Sequence, residues 1–424
     1  MKLVSLLALA CAVAAPSPAA AQAHDHAKMD MPGMDMPGME MDDTQTVTAP
    51  WTEGSGTSRL PGAGQVMHGL MTESGGWELM LHGAVSAQYT KATGPRGDEK
   101  FYSTSMLMAS ATRTTDWGRI TARTMLSAEP AMQRAGYPNL FATGETAHGV
   151  PLVDRQHPHD LFMELAGRVD VNVGANTTVF VYGGPVGEPA LGPSAFMHRG
   201  SAKYNPEPPI AHHWFDSTHI TYGVVTVGAS APLWQLEASA FRGQEPDEDR
   251  WNIETPRLDS WSVRATLTPS PRWALQASYG ELKQPESTHA NEDEHRFTAS
   301  AHYDSGKGLS AMAGFSAKRR VPGDTLTAWL GEANWDLDRH NSLFGRVENV
   351  ANDELFPDHA AALHDVALRI TKLQAGYARR MPIGAVNLAV GGSVATFLMP
   401  TALETAYGRR PVQFTLFAKL MLGN

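Results

Sequence analysis

From residue 77 onward, apolar and polar side chains alternate with a period of two, and this alternation limits the possible folds more than any other feature of the chain. Trp77, Leu79, Leu81, Val85, Ala87 and Tyr89 alternate with Glu78, His82, Ser86 and Gln88. The pattern returns at 120–128, 161–173, 220–228, 234–240, 261–267, 273–279, 297–303, 366–370, 386–394 and 412–422, and more weakly near 101, 178, 310, 326 and 343. Period two is the signature of a strand with one face in each of two media. After the first 23 residues there is no run of 18 or more apolar residues, the length a spanning helix requires. If the chain crosses a membrane, it therefore does so as a closed sheet, because only closure satisfies every strand's backbone groups in lipid.

The connections between these segments alternate in length. Those at 114–116, 174–176, 231–232, 269–271 and 305–307 are short; those at 91–99, 129–159, 185–217, 244–257 and 284–293 are long. Outer-membrane barrels have short turns on the periplasmic side and long loops outside. The expected fold is all-β, a transmembrane antiparallel β-barrel of about 16 strands (14–16), with both ends of the wall at the periplasm. Trp77, Trp117, Trp234, Trp273 and Trp335 fall near the ends assigned to the short turns, as an interfacial aromatic girdle would. A soluble β-sandwich or propeller explains the short–long alternation least well. The chain ends Leu422-Gly423-Asn424 rather than on the aromatic residue that closes many such barrels.

The expected organisation is a secretory signal at 1–23, a Met/His-rich tail at 24–43, a Gly-, Ser- and Thr-rich linker at 44–76, and the barrel at 77–424 with its longest loops at 129–159 and 185–217. The signal reading rests on Lys2, the apolar run from Leu3 to Ala15 and the Ala-Gln-Ala before His24. A lipoprotein reading through Cys11 is disfavoured, since Ala8-Leu9-Ala10 is a poor lipobox. Removing the signal removes the only cysteine, so any metal site must use Met, His, Asp or Glu. The formal charge of −10 argues against nucleic acid as a partner. Outer-membrane lipid is the partner the barrel requires.

In the tail, Met-Asp-Met-Pro-Gly occurs at 29 and again at 34. Pro and Gly prevent a continuous helix, so the tail is expected to be disordered without ligand. Met29, Met31, Met34, Met36, Met39 and Met41 offer thioethers, soft neutral ligands suited to Cu(I). His24 and His26 add nitrogen donors suited to Cu(II). The alternative is an inert spacer, for which methionine is an oxidisable choice.

A Met-x-Met segment of this kind leading into a barrel resembles the copper resistance protein B family. The resemblance rests on residues 24–43 and the strand pattern behind them. The strings Gly-Glu-Thr-Ala-His-Gly at 144, Asp-Arg-Gln-His-Pro-His-Asp at 154, Phe-Met-His-Arg at 196 and His-His-Trp-Phe-Asp-Ser-Thr-His at 212 resemble an uncharacterised group of exported proteins that accompanies copper-resistance functions. The resemblance implies copper handling, by sequestration or export, with periplasmic copper proteins as partners.

Those strings concentrate histidine in the two longest loops. His157 and His159 flank a proline, and His212 and His213 are adjacent. The four are candidate ligands of a second metal site, with Asp160 or Asp216 orienting a ring. The alternative is a structural plug in which the loops fold inward and bond to one another. Two other functions compete with copper handling: a porin for small polar solutes, and an outer-membrane hydrolase, for which Ser194 and His198 are the nearest pair. No nucleophile elbow, phosphate loop or paired-carboxylate signature is present, so the expected protein is not an enzyme.

Overall fold

The computed structural model describes residues 49–64 and 69–423. Sixteen antiparallel strands form a closed barrel. They are β1 (Trp77–Ala92), β2 (Glu99–Thr115), β3 (Gly118–Leu126), β4 (Phe162–Gly174), β5 (Thr177–Gly187), β6 (Thr221–Ala231), β7 (Trp234–Phe241) and β8 (Ser260–Ser270). The second half comprises β9 (Trp273–Leu282), β10 (Asp293–Asp304), β11 (Leu309–Val321), β12 (Thr325–Asp336), β13 (Asn341–Asn352), β14 (Leu368–Ile383), β15 (Val386–Leu398) and β16 (Val412–Leu422). Each strand pairs with its sequence neighbour, and β16 closes on β1 from Gln413↔Ala92 to Met421↔Ala84. The short strand Leu70–Ser74 continues the seam beneath β16, pairing with Trp77–Leu81.

Two media impose the alternation. Val169, Val171, Val179, Val181, Val225, Val227, Leu236 and Val263 point outward and are exposed, whereas Thr226, Gln235, Ser262, Arg264 and Thr298 point inward and are buried. Such an apolar outer band is stable only against hydrocarbon. Trp77, Trp117, Trp234, Trp273 and Trp335 all lie at the short-turn end, as expected. A second aromatic row marks the loop end: Tyr89 packs near Phe414 at 6.2 Å and Trp261 near Tyr279 at 5.8 Å between ring centroids. Val227 lies near the middle of β6 with 51% of its surface exposed. Val227→Arg is expected to destabilise the folded barrel by about 2–4 kcal/mol, the cost of a cation near the bilayer midplane. Denaturant unfolding in liposomes would measure it, with Thr226→Arg on the inner face as the contrast.

One sequence expectation is corrected. Residues 49–64 are not an extended linker; they form a hairpin, Trp51–Glu53 paired with Arg59–Pro61, lodged in the lumen at the turn end. Arg59 Nη1 donates to Ala231 O at 2.8 Å, Gln235 Nε2 to Thr57 O at 2.7 Å and Ser55 Oγ to Glu188 Oε1 at 3.0 Å. The small side chains serve close packing: a Cβ on Gly54 would meet Ser58 Oγ at 2.5 Å and Ser194 Oγ at 2.6 Å.

The connections at 127–161 and 188–220 fold inward. Their Leu140, Phe141, Ile210, Trp214 and Phe215 pack against an apolar sector of the inner wall formed by Leu326, Leu330, Val350, Ile370 and Phe397. Burying each such side chain contributes about 1.5–3 kcal/mol. Buried ion pairs fix the second loop further: Glu332 of β12 binds Arg199 at 2.7 Å and Lys372 of β14 binds Glu207 at 2.8 Å. A cavity of about 260 Å³ remains open, lined at the turn end by Gly308, Asp336 and Lys419 and deeper in by His159, Met163 and His198.

Candidate functional site in the lumen loops

The inward loops bring together histidines that the sequence separates by more than 50 residues. His157 and His159 come from the 127–161 loop, His212 and His213 from the one-turn helix α1 (His212–Phe215), and His219 from the turn that follows it. All five are buried. Ring centroids lie 5.8 Å apart for His157–His212, 6.0 Å for His157–His213, 5.2 Å for His212–His213, 5.0 Å for His212–His219 and 5.3 Å for His159–His219. A ligand nitrogen from each of His157, His212 and His213 falls within 4.8 Å of the other two. Close approach of His213 depends on Gly144, whose φ is +111° and whose Cβ, if present, would stand 2.6 Å from the His213 ring.

Each Nδ1 faces an acceptor. His159 Nδ1 donates to Glu129 at 2.9 Å, His212 Nδ1 to Asp216 at 2.8 Å and His213 Nδ1 to Glu245 at 3.2 Å. His219 Nδ1 donates to Asp216 O at 2.6 Å and His157 Nδ1 to Pro158 O at 3.1 Å. Carboxylates and carbonyls have no proton to give, so the bonding assigns the proton to Nδ1 and the lone pair to Nε2 in the neutral rings. Nε2 of His157, His159 and His219 is buried without a hydrogen-bond partner. Metal-binding imidazoles adopt this arrangement, with one nitrogen held from outside and the other free.

Electrostatics divide the rings. Burial, with Arg250 and the neighbouring histidines, pulls His157 well below the usual imidazole range, and burial with His212 and His159 does the same to His219. Burial also lowers His212, despite Asp216. For His159 and His213 burial acts downward but is outweighed by Glu129 and Glu245 respectively, and His213 is raised to about 9. Arg250 closes one side, donating to Asp160 at 3.1 Å and Glu145 at 2.7 Å.

The four loop histidines singled out in the sequence, His157, His159, His212 and His213, thus share one cluster. Of the two aspartates expected to orient a ring, Asp216 does so, while Asp160 takes Arg250 and the Tyr222 hydroxyl. His219 and Glu145, which stand in the strings at 212 and 144, join the cluster as well, whereas Glu129, Glu245 and Arg250 belong to it without a local sequence signal, because they meet the histidines only when three loops fold together. The tail candidates His24, His26, Met29, Met31, Met34, Met36, Met39 and Met41 lie outside the described residues. Ser194 and His198 are not hydrogen-bonded to each other: Ser194 Oγ accepts from Ser55 N at 3.0 Å, and neither ring nitrogen of His198 has a hydrogen-bond partner.

No family model matches the chain, and no curated protein matches it. Solved structures show the fold. Salmonella typhi OmpF in complex with daunomycin superposes with a TM-score of 0.55 at 10% identity, covering 83% of this chain and 100% of its own. The anion-selective porin from Comamonas acidovorans gives 0.50 at 10% identity, covering 82% and 100%, and Pseudomonas putida OprB gives 0.50 at 9%, covering 82% and 94%. The chain therefore has the architecture of an outer-membrane porin-type β-barrel.

Proposed function

We propose that this barrel is an outer-membrane channel of porin type that passes small polar solutes through a lumen narrowed by its own loops. The observation that carries the reading is the closed sixteen-stranded wall, apolar outside and polar within, around a cavity that reaches the turn end. The fold likeness to OmpF and to a porin titled anion-selective supports the same class. Sixteen strands enclose enough space for water, and here the loops decide how much of it remains. In planar bilayers the purified protein is expected to give discrete conductance steps, smaller than those of an unobstructed sixteen-stranded pore. A protein that inserts and folds but never conducts would overturn the channel reading.

A second reading, copper handling, is favoured by one specific observation: loop histidines with a buried, unpartnered Nε2 occur in a chain whose sequence also carries a methionine repeat. In this reading the tail, at the periplasm, captures Cu(I), and the barrel stores the ion or passes it outward, supplied by periplasmic copper proteins. It predicts that the full chain retains copper after dialysis and that conductance responds to copper. If both quantities prove indifferent to the metal, the copper reading falls and the channel stands.

A further inference from the structure

Besides the aliphatic and aromatic sector under Trp214, one part of the inner wall is rich in sulfur. Strand register sets His82 of β1 opposite Met108 of β2, and Met108 opposite Met125 of β3. The next strand breaks register between Phe162 and Glu164, and the intervening Met163 is buried at 1% exposure. Directly opposed residues on one face have Cβ atoms about 4.5–5.5 Å apart, so this row places neighbouring thioethers side by side. Met80 and Met106 extend it along the same face, and Met197 descends onto it from the inward loop. Six methionines from four strands and one loop thus form a single packed cluster.

Beside Met197 sits His198, 4% exposed, with both Nδ1 and Nε2 buried and without a hydrogen-bond partner. His82, Met106, Met163, Met197 and His198 all line the cavity that reaches the turn end. Methionine is an adaptable filler of apolar cores, and filling alone would account for the sulfurs. Filling does not account for an imidazole with two unsatisfied nitrogens lining the same cavity as three of them, since buried polar atoms nearly always find partners. Two carboxylates are engaged elsewhere, Glu164 by Arg123 at 2.9 Å and Glu129 by His159. The carboxylates of the cavity lining, Glu53, Glu129, Asp304 and Asp336, are harder donors, whereas the thioethers of Met106, Met163 and Met197 are soft and neutral and select a soft ion.

We propose that this sector is a binding site for a soft monovalent metal ion, Cu(I) or Ag(I), held by the thioethers of Met106, Met163 and Met197 with His198 as nitrogen ligand. For its natural ion the inference rests on the copper reading above; its residues are different ones, distinct from both the tail and the five-histidine cluster. An ion entering from the turn end meets this sector within the same cavity whose lining includes His159 of that cluster.

The test uses the full chain carrying Met29→Ser, Met31→Ser, Met34→Ser, Met36→Ser, Met39→Ser and Met41→Ser, which silences the tail. Anaerobic Cu(I) titration against a competing chromogenic chelator, followed by X-ray absorption at the copper edge, is expected to show one retained ion with sulfur scattering. Adding Met106→Leu, Met163→Leu and Met197→Leu preserves apolar volume and is expected to weaken retention at least about tenfold, since even outer-sphere changes alter metal affinity by that much. His198→Gln, a milder change, is expected to remove the nitrogen scatterer, with heat-modifiable gel migration confirming a folded barrel in each case. Loss of all copper from the tail-silenced chain would overturn the site and leave the tail's role standing. Equal retention with and without the three leucines, or a copper environment without sulfur, would overturn it as well. Equal copper in the wild-type and tail-silenced chains would instead overturn the tail's role and leave the site standing.

Discussion

Replacing Glu332 with alanine is expected to widen the channel, raising single-channel conductance severalfold. Glu332 Oε1 accepts from Arg199 Nε at 2.7 Å and Ser201 Oγ at 2.9 Å, while Oε2 accepts from Arg346 Nε at 2.9 Å, all in buried surroundings. Removing the carboxylate leaves two buried guanidinium groups with one countercharge fewer, and breaking a buried pair in this way costs about 3–5 kcal/mol. Arg346 is fixed in the wall, so the structure relieves the cost by releasing Arg199, which the loop can carry into water. The release should be partial. Ile210, Trp214 and Phe215 bury against the wall at about 1.5–3 kcal/mol each, and the Lys372–Glu207 pair is untouched. The stretch of the loop from Phe196 to Lys203, which lines the cavity, is therefore the part that should move. Glu332→Gln keeps an acceptor and should fall between the two. A wild-type conductance in Glu332→Ala would mean that apolar packing alone holds the plug.

The wall was legible in the sequence because two solvents act on every second residue. A strand that slipped by one position would turn Val225 and Val227 inward and Thr226 into lipid, so the pattern admits little else. Turn and loop lengths were legible for a similar reason: a two-residue turn such as 175–176 cannot be confused with the 188–220 connection. The residues around 366 lie in a loop, with the strand starting at Leu368, a shift of the size expected when a strand enters from irregular chain.

The interior was less legible. The 49–64 hairpin has the composition of a linker, and what buries it are Glu188, Gln235 and Arg264, between 133 and 207 residues away in the chain. The apolar sector under Trp214 is assembled from single residues on several strands, each indistinguishable locally from an alternating wall position. The same holds for the methionine row: Met108 and Met125 read as ordinary wall residues until strand register sets them opposite each other. His157, His159, His212 and His213 were visible because His-Pro-His and His-His are spelled locally. Asp216, four residues from His212, was legible too, but the acidic partners of His159 and His213 were hidden, since Glu129 precedes His159 by 30 residues and Glu245 follows His213 by 32.

The histidine cluster separates two roles by the sign of a stability change. Without metal, Nε2 of His157, His159 and His219 is buried and unpaired, and each such atom costs about 1–3 kcal/mol. A divalent ion of borderline softness, Cu(II) or Zn(II), held by His157, His212 and His213, whose ligand nitrogens lie within 4.8 Å of one another, would satisfy the first of these, and binding only the folded state stabilises it by about 2.7 kcal/mol at a hundredfold excess over Kd. The wild-type protein is therefore expected to melt higher when either ion is added. His157 offers the cleanest single change, because its Nδ1 bonds only a backbone carbonyl and Glu145, 3.5 Å from its Nε2, still has Arg250. His157→Phe should abolish the metal-dependent rise in melting temperature and leave the metal-free protein as stable as the wild type, or more stable, since an unsatisfied polar ring gives way to an apolar one of similar size. A brace gives the opposite pair of results: no response to metal in the wild type, and a lower melting temperature in His157→Phe. Differential scanning calorimetry in detergent, with and without each ion, reads both quantities from the same two proteins.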